Sequence, residues 1–349
     1  MIVDVEPAHK IKDLTGPGHT DAYGVGGTDL GATVVAPDGR LVSVFGDTFE
    51  KATVGGRGWR APVVLFGYPE SVPTGLRWYG SAGPGVYAHQ VVDYRHRRKW
   101  DGCHVVTVLP TDLLRVGDTL YLHVMVCREL GHVWWTELHG STDNGSSWRP
   151  TGTRWPGGHH DGLFQMLTWE RGDDGWVYAL TTGFQRQHGL ILHRVREDRV
   201  TDPSAWQSWG FDADGWAWGK PPTVALPGRF GELSLRRVQG RWMLCVFDDG
   251  GYRMDVLALD AQTADLHRAP RATVLHGCNW PDEDHAHGRV AQLYGGYILP
   301  GSTWSRLFLM VSQWNSATNW PYHSMQFEAD VSRLAAQHSP VADGAAELG

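Results

Sequence analysis

The chain has 349 residues, with 44 glycines and 19 prolines spread along its whole length, and a formal charge of −7. That balance lacks the basic footprint of a phosphate-binding protein and argues against nucleic acid as a partner. No apolar run approaches the roughly 20 residues of a membrane span, which argues against membrane insertion. With no sustained 3.6-residue periodicity, the sequence reads as many short strands in an all-β chain.

The opening residues MIVDVEPAHK have neither a basic n-region nor an apolar h-region, so no signal peptide is expected in this chain. Five segments of similar grammar follow, each a polar or glycine-rich start, alternating apolar strands and a turn rich in Asp, Asn and Gly. The first runs from Asp29, the second from Asp101, the third from Asp161, the fourth from near Glu232 and the fifth from near His287. Such repetition is the signature of blades, and it predicts a single five-bladed β-propeller domain over residues 1–334. Residues 335–349 turn Ala- and Gly-rich and read as a loose tail. In the second segment, Ser141-Thr142-Asp143-Asn144-Gly145-Ser146-Ser147-Trp148 matches the S-x-D-x-G-x-x-W pattern of an Asp box, a structural hairpin turn.

In a propeller the innermost strand of each blade lines a central funnel, so polar residues at the strand starts converge in space. Asp29, Asp101, Asp161, Glu232 and His287 are expected there, with His160 beside Asp161. A funnel of carboxylates with few cations suits acid/base chemistry on a neutral ligand. Asp101 and Asp161 could equally cap turns beside Gly102 and Gly162. Asp29 and Asp47 flank the stretch Ala36-Pro37-Asp38-Gly39-Arg40, which suits a three-residue loop with a bulge. Ala36 then pairs with Arg40, and Asp29 faces Asp47 directly across the hairpin. Like charges so placed destabilise a sheet, which marks the pair as functional.

Tryptophan (18) outnumbers tyrosine (11) and phenylalanine (10). Flat rings with a polar tip suit the C–H faces of sugars, and Trp314 is the one singled out for binding. His159-His160-Asp161 and Asp284-His285-Ala286-His287 look like metal-ligand clusters, but neither has a third ligand at a recognisable spacing. Hydrogen bonding in the funnel is expected of them, and no metal or cofactor is assigned. Cys103, Cys127, Cys245 and Cys278 lack close pairings and read as free thiols.

Gly26-Gly27-Thr28-Asp29-Leu30-Gly31, Phe45-Gly46-Asp47-Thr48-Phe49, Phe230-Gly231-Glu232-Leu233-Ser234, and the stretch from Tyr294-Gly295-Gly296 to Ser312-Gln313-Trp314-Asn315 resemble the endo-D-arabinanases of glycoside hydrolase family 183. The similarity runs from about Leu14 to Ser332. It implies a five-bladed propeller that cuts α-linked D-arabinofuranose chains of mycobacterial arabinogalactan and lipoarabinomannan, with Asp29 and Asp47 central to catalysis. The stretch 316–320 looks longer than the family's link there. An exo-acting arabinofuranosidase, or a non-catalytic carbohydrate-binding propeller such as a phage receptor-binding module, is the alternative. A monomer is expected, acting on the cell envelope either as a mature secreted form or delivered by a phage. Opposed carboxylates start near the 5 to 5.5 Å of retaining glycosidases, so retention is expected, with Asp29 as nucleophile, Asp47 as acid and then base, and Asp161, Glu232, His160, His287 and Trp314 on the substrate.

Overall fold

The computed structural model describes residues 1–100, 102–259 and 266–336. Five sheets form the blades of a five-bladed β-propeller. Their innermost strands are Leu30–Val35, Thr107–Val116, Met166–Arg171, Phe230–Val238 and Leu293–Ile298. Each lies beside the next, and the fifth returns to the first, closing the ring. The middle strands are buried in long continuous runs rather than at alternate positions, because a blade is covered on both faces by its neighbours. Leu41–Phe45 and Val63–Gly67 are buried at every position. Each such Val or Leu side chain contributes about 1.5–3 kcal/mol of burial.

The ring is fastened by the chain's own beginning. His9–Asp13 pairs antiparallel with Tyr322–Ala329 and becomes the outermost strand of the fifth blade. Inside the ring, the fully buried Asp112 of the second blade takes a bidentate ion pair from Arg236 of the fourth, at 2.6 and 2.8 Å. Thr168 of the third blade donates to the same carboxylate (2.7 Å) and accepts from the Leu235 amide (2.7 Å). Three blades are thereby tied at one carboxylate.

Three blade starts differ from the expectation, that of the third blade lying at Met166 and not at Asp161. The innermost strand of the second blade begins at Thr107, while Cys103–Val105 pairs with Arg98–Trp100 in a separate hairpin; Asp101 lies outside the described residues. Pro110 sits inside the Thr107–Val116 strand at a register shift, a place where the sheet tolerates proline. The fifth blade begins at Leu293 and not near His287. Arg289–Ala291 runs parallel to Arg271–Cys278 on the edge of the fourth blade, and Gln292 at φ 48° turns the chain into the next.

The Asp box forms as expected. The Asp143 carboxylate accepts from Ser141 Oγ (2.8 Å), the Ser147 amide (2.9 Å) and Ser147 Oγ (2.6 Å), and Trp148 is buried beneath, donating to the Gly145 carbonyl (3.0 Å). It lies in the second blade, and the Asn144 side chain accepts from the Asp38 amide of the first hairpin. All four cysteines are free, with Cys127 and Cys245 buried and Cys103 and Cys278 half-buried.

Candidate active site

A cavity of about 1090 Å³ opens on the propeller axis, and Asp29, Asp47, Glu232, Tyr294, Tyr322 and Trp314 are in its wall. The first hairpin brings the two aspartates there, by a route the sequence does not display. Ala32 pairs with Val44, Thr33 with Ser43, Val34 with Val42 and Val35 with Leu41, in the register expected from the turn. At Leu30 and Gly31 the strand bulges, with φ of 66° and 127°, and the register slips by one. The Asp29 carbonyl therefore accepts from the Gly46 amide (3.0 Å), so Asp29 faces Gly46 and not Asp47. Gly46 makes this possible. A Cβ there would lie 2.3 Å from Asp29 Oδ1, so the carboxylate occupies the space that any other side chain would fill.

The two aspartates meet different surroundings. Asp29 Oδ2 accepts from the Tyr294 hydroxyl at 2.8 Å, while its Oδ1 is buried without a hydrogen-bond partner. Burial, followed by the charge of Asp47, pushes its pKa up to about 7; the Tyr294 and then the Tyr322 hydroxyl oppose this, and Glu232 adds to it. Asp47 Oδ1 accepts from Trp59 Nε1 (2.7 Å) and Thr107 Oγ1 (2.6 Å). Burial raises the Asp47 pKa too, but these two donors favour its charged form and hold the rise back. Trp59 is fixed by stacking on His96, with ring centroids 4.0 Å apart. His96 lies against the Val106 carbonyl through Nδ1 (2.8 Å), and its Nε2 is buried without a partner.

Glu232 enters the cavity from the fourth blade and is ion-paired to Arg186 through Oε1 at 2.6 Å. Arg186 in turn lies 5.3 Å over the Tyr294 ring. A Cβ on Gly231 would meet the Arg186 side chain at 3.0 Å, so the small residue leaves room for the guanidinium. Trp314 ends its strand at the cavity and packs edge-on against Tyr322, 6.0 Å away. The long link after it also reaches the cavity, through Ser316.

The remaining expected residues lie elsewhere. His160 is not in the cavity wall. It stacks on the buried His193 (5.3 Å), and burial, with His159 next, pushes its pKa down to about 4. Asp161 lies in an adjoining recess. Both precede the strand that begins at Met166, in a turn where their φ values are 50° and 57°, so the third blade starts later than its sequence suggests. His287 is an exposed residue of the turn His285–His287 and pairs with Asp284 at 2.8 Å. The strand that follows it, Arg289–Ala291, belongs to the edge of the fourth blade, and the innermost strand of the fifth begins only after the turn at Gln292. Reading the sequence missed Trp59, His96, Thr107 and Arg186. Tyr294 stands within a motif that was noticed, but nothing local marks the others.

A sequence profile described as a domain of unknown function (DUF4185) matches residues 15–328. An uncharacterized 35.9 kDa protein of Mycolicibacterium smegmatis is 30% identical over 325 residues, covering 88% of this chain and 93% of that protein. Notoamide biosynthesis cluster protein J' of Aspergillus versicolor is 32% identical over 314 residues, covering 85% and 83%. Among solved structures, a putative hydrolase from Bacteroides ovatus superposes with a TM-score of 0.62 at 13% identity, covering 92% of this chain and 90% of the other. The catalytic domain of the GH62 α-L-arabinofuranosidase of Coprinopsis cinerea gives 0.53 at 11% (93% and 97%). A GH43 enzyme of Xanthomonas citri complexed with xylose gives 0.52 at 13% (90% and 90%). At these identities the structural likenesses establish a common fold.

Proposed function

The chain belongs to the DUF4185 family, and we propose that it is an endo-acting glycoside hydrolase cleaving α-linked D-arabinofuranosyl chains of mycobacterial arabinogalactan and lipoarabinomannan. The observation that carries this reading is the unequal pair in one cavity: a carboxyl with a pKa of about 7 beside a carboxylate held by two donors. A glycosidase needs one carboxyl protonated and one ionised at the same pH. The motifs around Asp29, Asp47, Glu232 and Trp314 supply the substrate, through their resemblance to the endo-D-arabinanases.

The surroundings favour roles opposite to those expected from the sequence. Asp29, the group more strongly pushed toward neutrality, suits the general acid. Asp47 suits the nucleophile, because both its hydrogen bonds fall on Oδ1 and leave Oδ2 free to react. In the first step Asp47 Oδ2 bonds to the anomeric carbon while Asp29 gives its proton to the glycosidic oxygen, and the carbon–oxygen bond breaks. In the second, Asp29 takes a proton from water, whose oxygen displaces Asp47 from the same carbon. Two inversions give retention. Glu232, paired with Arg186, serves as a hydrogen-bond acceptor for sugar hydroxyls or as support for Tyr294. Ser316 brings the longer link to the cavity wall and makes it a candidate for tuning which arabinan branch is accepted.

Incubation with mycobacterial D-arabinan followed by size separation tests the reading. Oligosaccharides are expected at early times. Early release of free arabinose alone would replace it with an exo-acting one, and no product at all would leave the carbohydrate-binding alternative.

A further inference from the structure

A second recess of about 340 Å³ lies beside the central cavity, walled by Arg128, His132, Trp134, Asp161, Gln165 and His188. Its volume is at the lower end of small-molecule sites, which run from about 300 to 1,000 Å³. The two hollows adjoin, and Gly131, Phe184 and Gln185 line both. We propose that this recess is a distal subsite that binds a neutral furanosyl residue of the polysaccharide several units from the bond being cut; this rests on the glycosidase reading above.

Three features fit a sugar. Trp134 leaves 39% of its surface exposed although it is on a strand, His132–Ser141, whose next five residues are buried. The Arg128 guanidinium lies 5.5 Å from the ring centroid and steadies the indole without closing the recess. An aromatic face of this kind binds sugar C–H groups and accepts any furanose that presents them.

Asp161 supplies the polar side. It is exposed and held at φ 57°, immediately after His160 at φ 50°. Two consecutive non-glycine residues in the left-handed region persist where the surroundings over-determine them. The turn that holds them ends in the Leu163 amide donating to the His160 carbonyl (3.0 Å). The exposed carboxylate is a strong acceptor for adjacent hydroxyl pairs.

The floor between the hollows is preorganised. Gln165 donates to the Gly157 carbonyl (2.8 Å) and accepts from the Phe184 amide (3.0 Å). Gln185 donates to the Gly131 carbonyl (2.9 Å), linking the loop of the third blade to the hairpin tip of the second. A chain leaving the cavity thus passes over a fixed bridge between blades 2 and 3. Such an arrangement serves an enzyme that grips long chains on one side of the scission point.

The test compares Trp134→Ala and Asp161→Ala with the parent on D-arabinan oligosaccharides of graded length, with binding measured in parallel in the Asp29→Asn background. The ratio of long- to short-chain kcat/KM is expected to fall about tenfold in Trp134→Ala, mainly through KM, with the melting temperature unchanged. The Kd for long chains in the Asp29→Asn background should weaken by a similar factor. If the parent cuts D-arabinan and both variants keep the parent's length dependence, the subsite is wrong and the glycosidase reading stands. If the parent neither cuts nor binds D-arabinan, both fall together.

Discussion

Asp29 and Asp47 carry the same carboxyl group, yet Asp29 receives one hydroxyl hydrogen bond and leaves an oxygen buried without a partner, whereas Asp47 receives two donors on one oxygen. A buried unpaired polar atom costs about 1–3 kcal/mol, more when charged, so the proton stays on Asp29 until a substrate oxygen arrives to take it. The pH dependence of kcat/KM should therefore fall on the basic side near pH 7. Tyr294→Phe removes the hydrogen bond that favours the ionised form of Asp29, so its basic limb should move to higher pH; a downward shift would remove Asp29 from the acid role. The same shift acts on stability. A carboxyl whose pKa rises from its ordinary value to about 7 on folding favours the folded state below its ordinary pKa and loses that advantage as pH rises through 7. Asp29→Asn should thus gain in melting temperature relative to the parent at pH 8 and gain little at pH 4.

At the scale of the element, the first hairpin was legible as far as its turn. Consecutive proline, aspartate and glycine determine the loop, and four pairs follow its register. What the residues do not display is the bulge at Leu30 and Gly31, because Leu30 adopts a positive φ only under the pressure of the packed ring, where the Ser312 hydroxyl accepts from its amide at 2.8 Å. The like-charge argument therefore found the right neighbourhood through a pairing that is off by one residue. Gly46 is the compensation. Gly46→Ala should lower kcat/KM by at least about 100-fold with the fold retained, since a displaced Asp29 loses its reactive geometry. Full activity in the Gly46→Ala variant would mean that Asp29 does not act on the substrate. Elsewhere the strands were readable and their assignment to blades was not. The segment after His287 has an apolar strand pattern, but whether it extends the fourth blade or begins the fifth depends on Gln292, whose left-handed turn no local pattern announces.

For the whole molecule, repetition of the strand grammar sufficed to read five blades, whereas closure of the ring did not appear in it. His9–Asp13 is a polar stretch, HKIKD, and it becomes a strand only because Tyr322–Ala329 offers an open edge more than 300 residues later. The Asp112–Arg236 tie was equally invisible, since its partners are on different blades. Removing one member should leave the other buried and unpaired, so Asp112→Ala is expected to cost about 3–5 kcal/mol of unfolding free energy. Replacing both by apolar residues of similar volume should recover much of that loss in chemical denaturation. If Asp112→Ala unfolds like the parent, the tie does not hold the ring.

The central claim is that Asp29 and Asp47 together hydrolyse a glycosidic bond, and it is tested most directly by following the anomeric proton signal of the first product formed from α-linked D-arabinan by the parent, Asp29→Asn and Asp47→Asn. The parent should release the α-anomer first, and both variants should be inactive while melting as folded proteins. Initial appearance of the β-anomer would contradict the double displacement, and full activity in either variant would move the chemistry away from this pair.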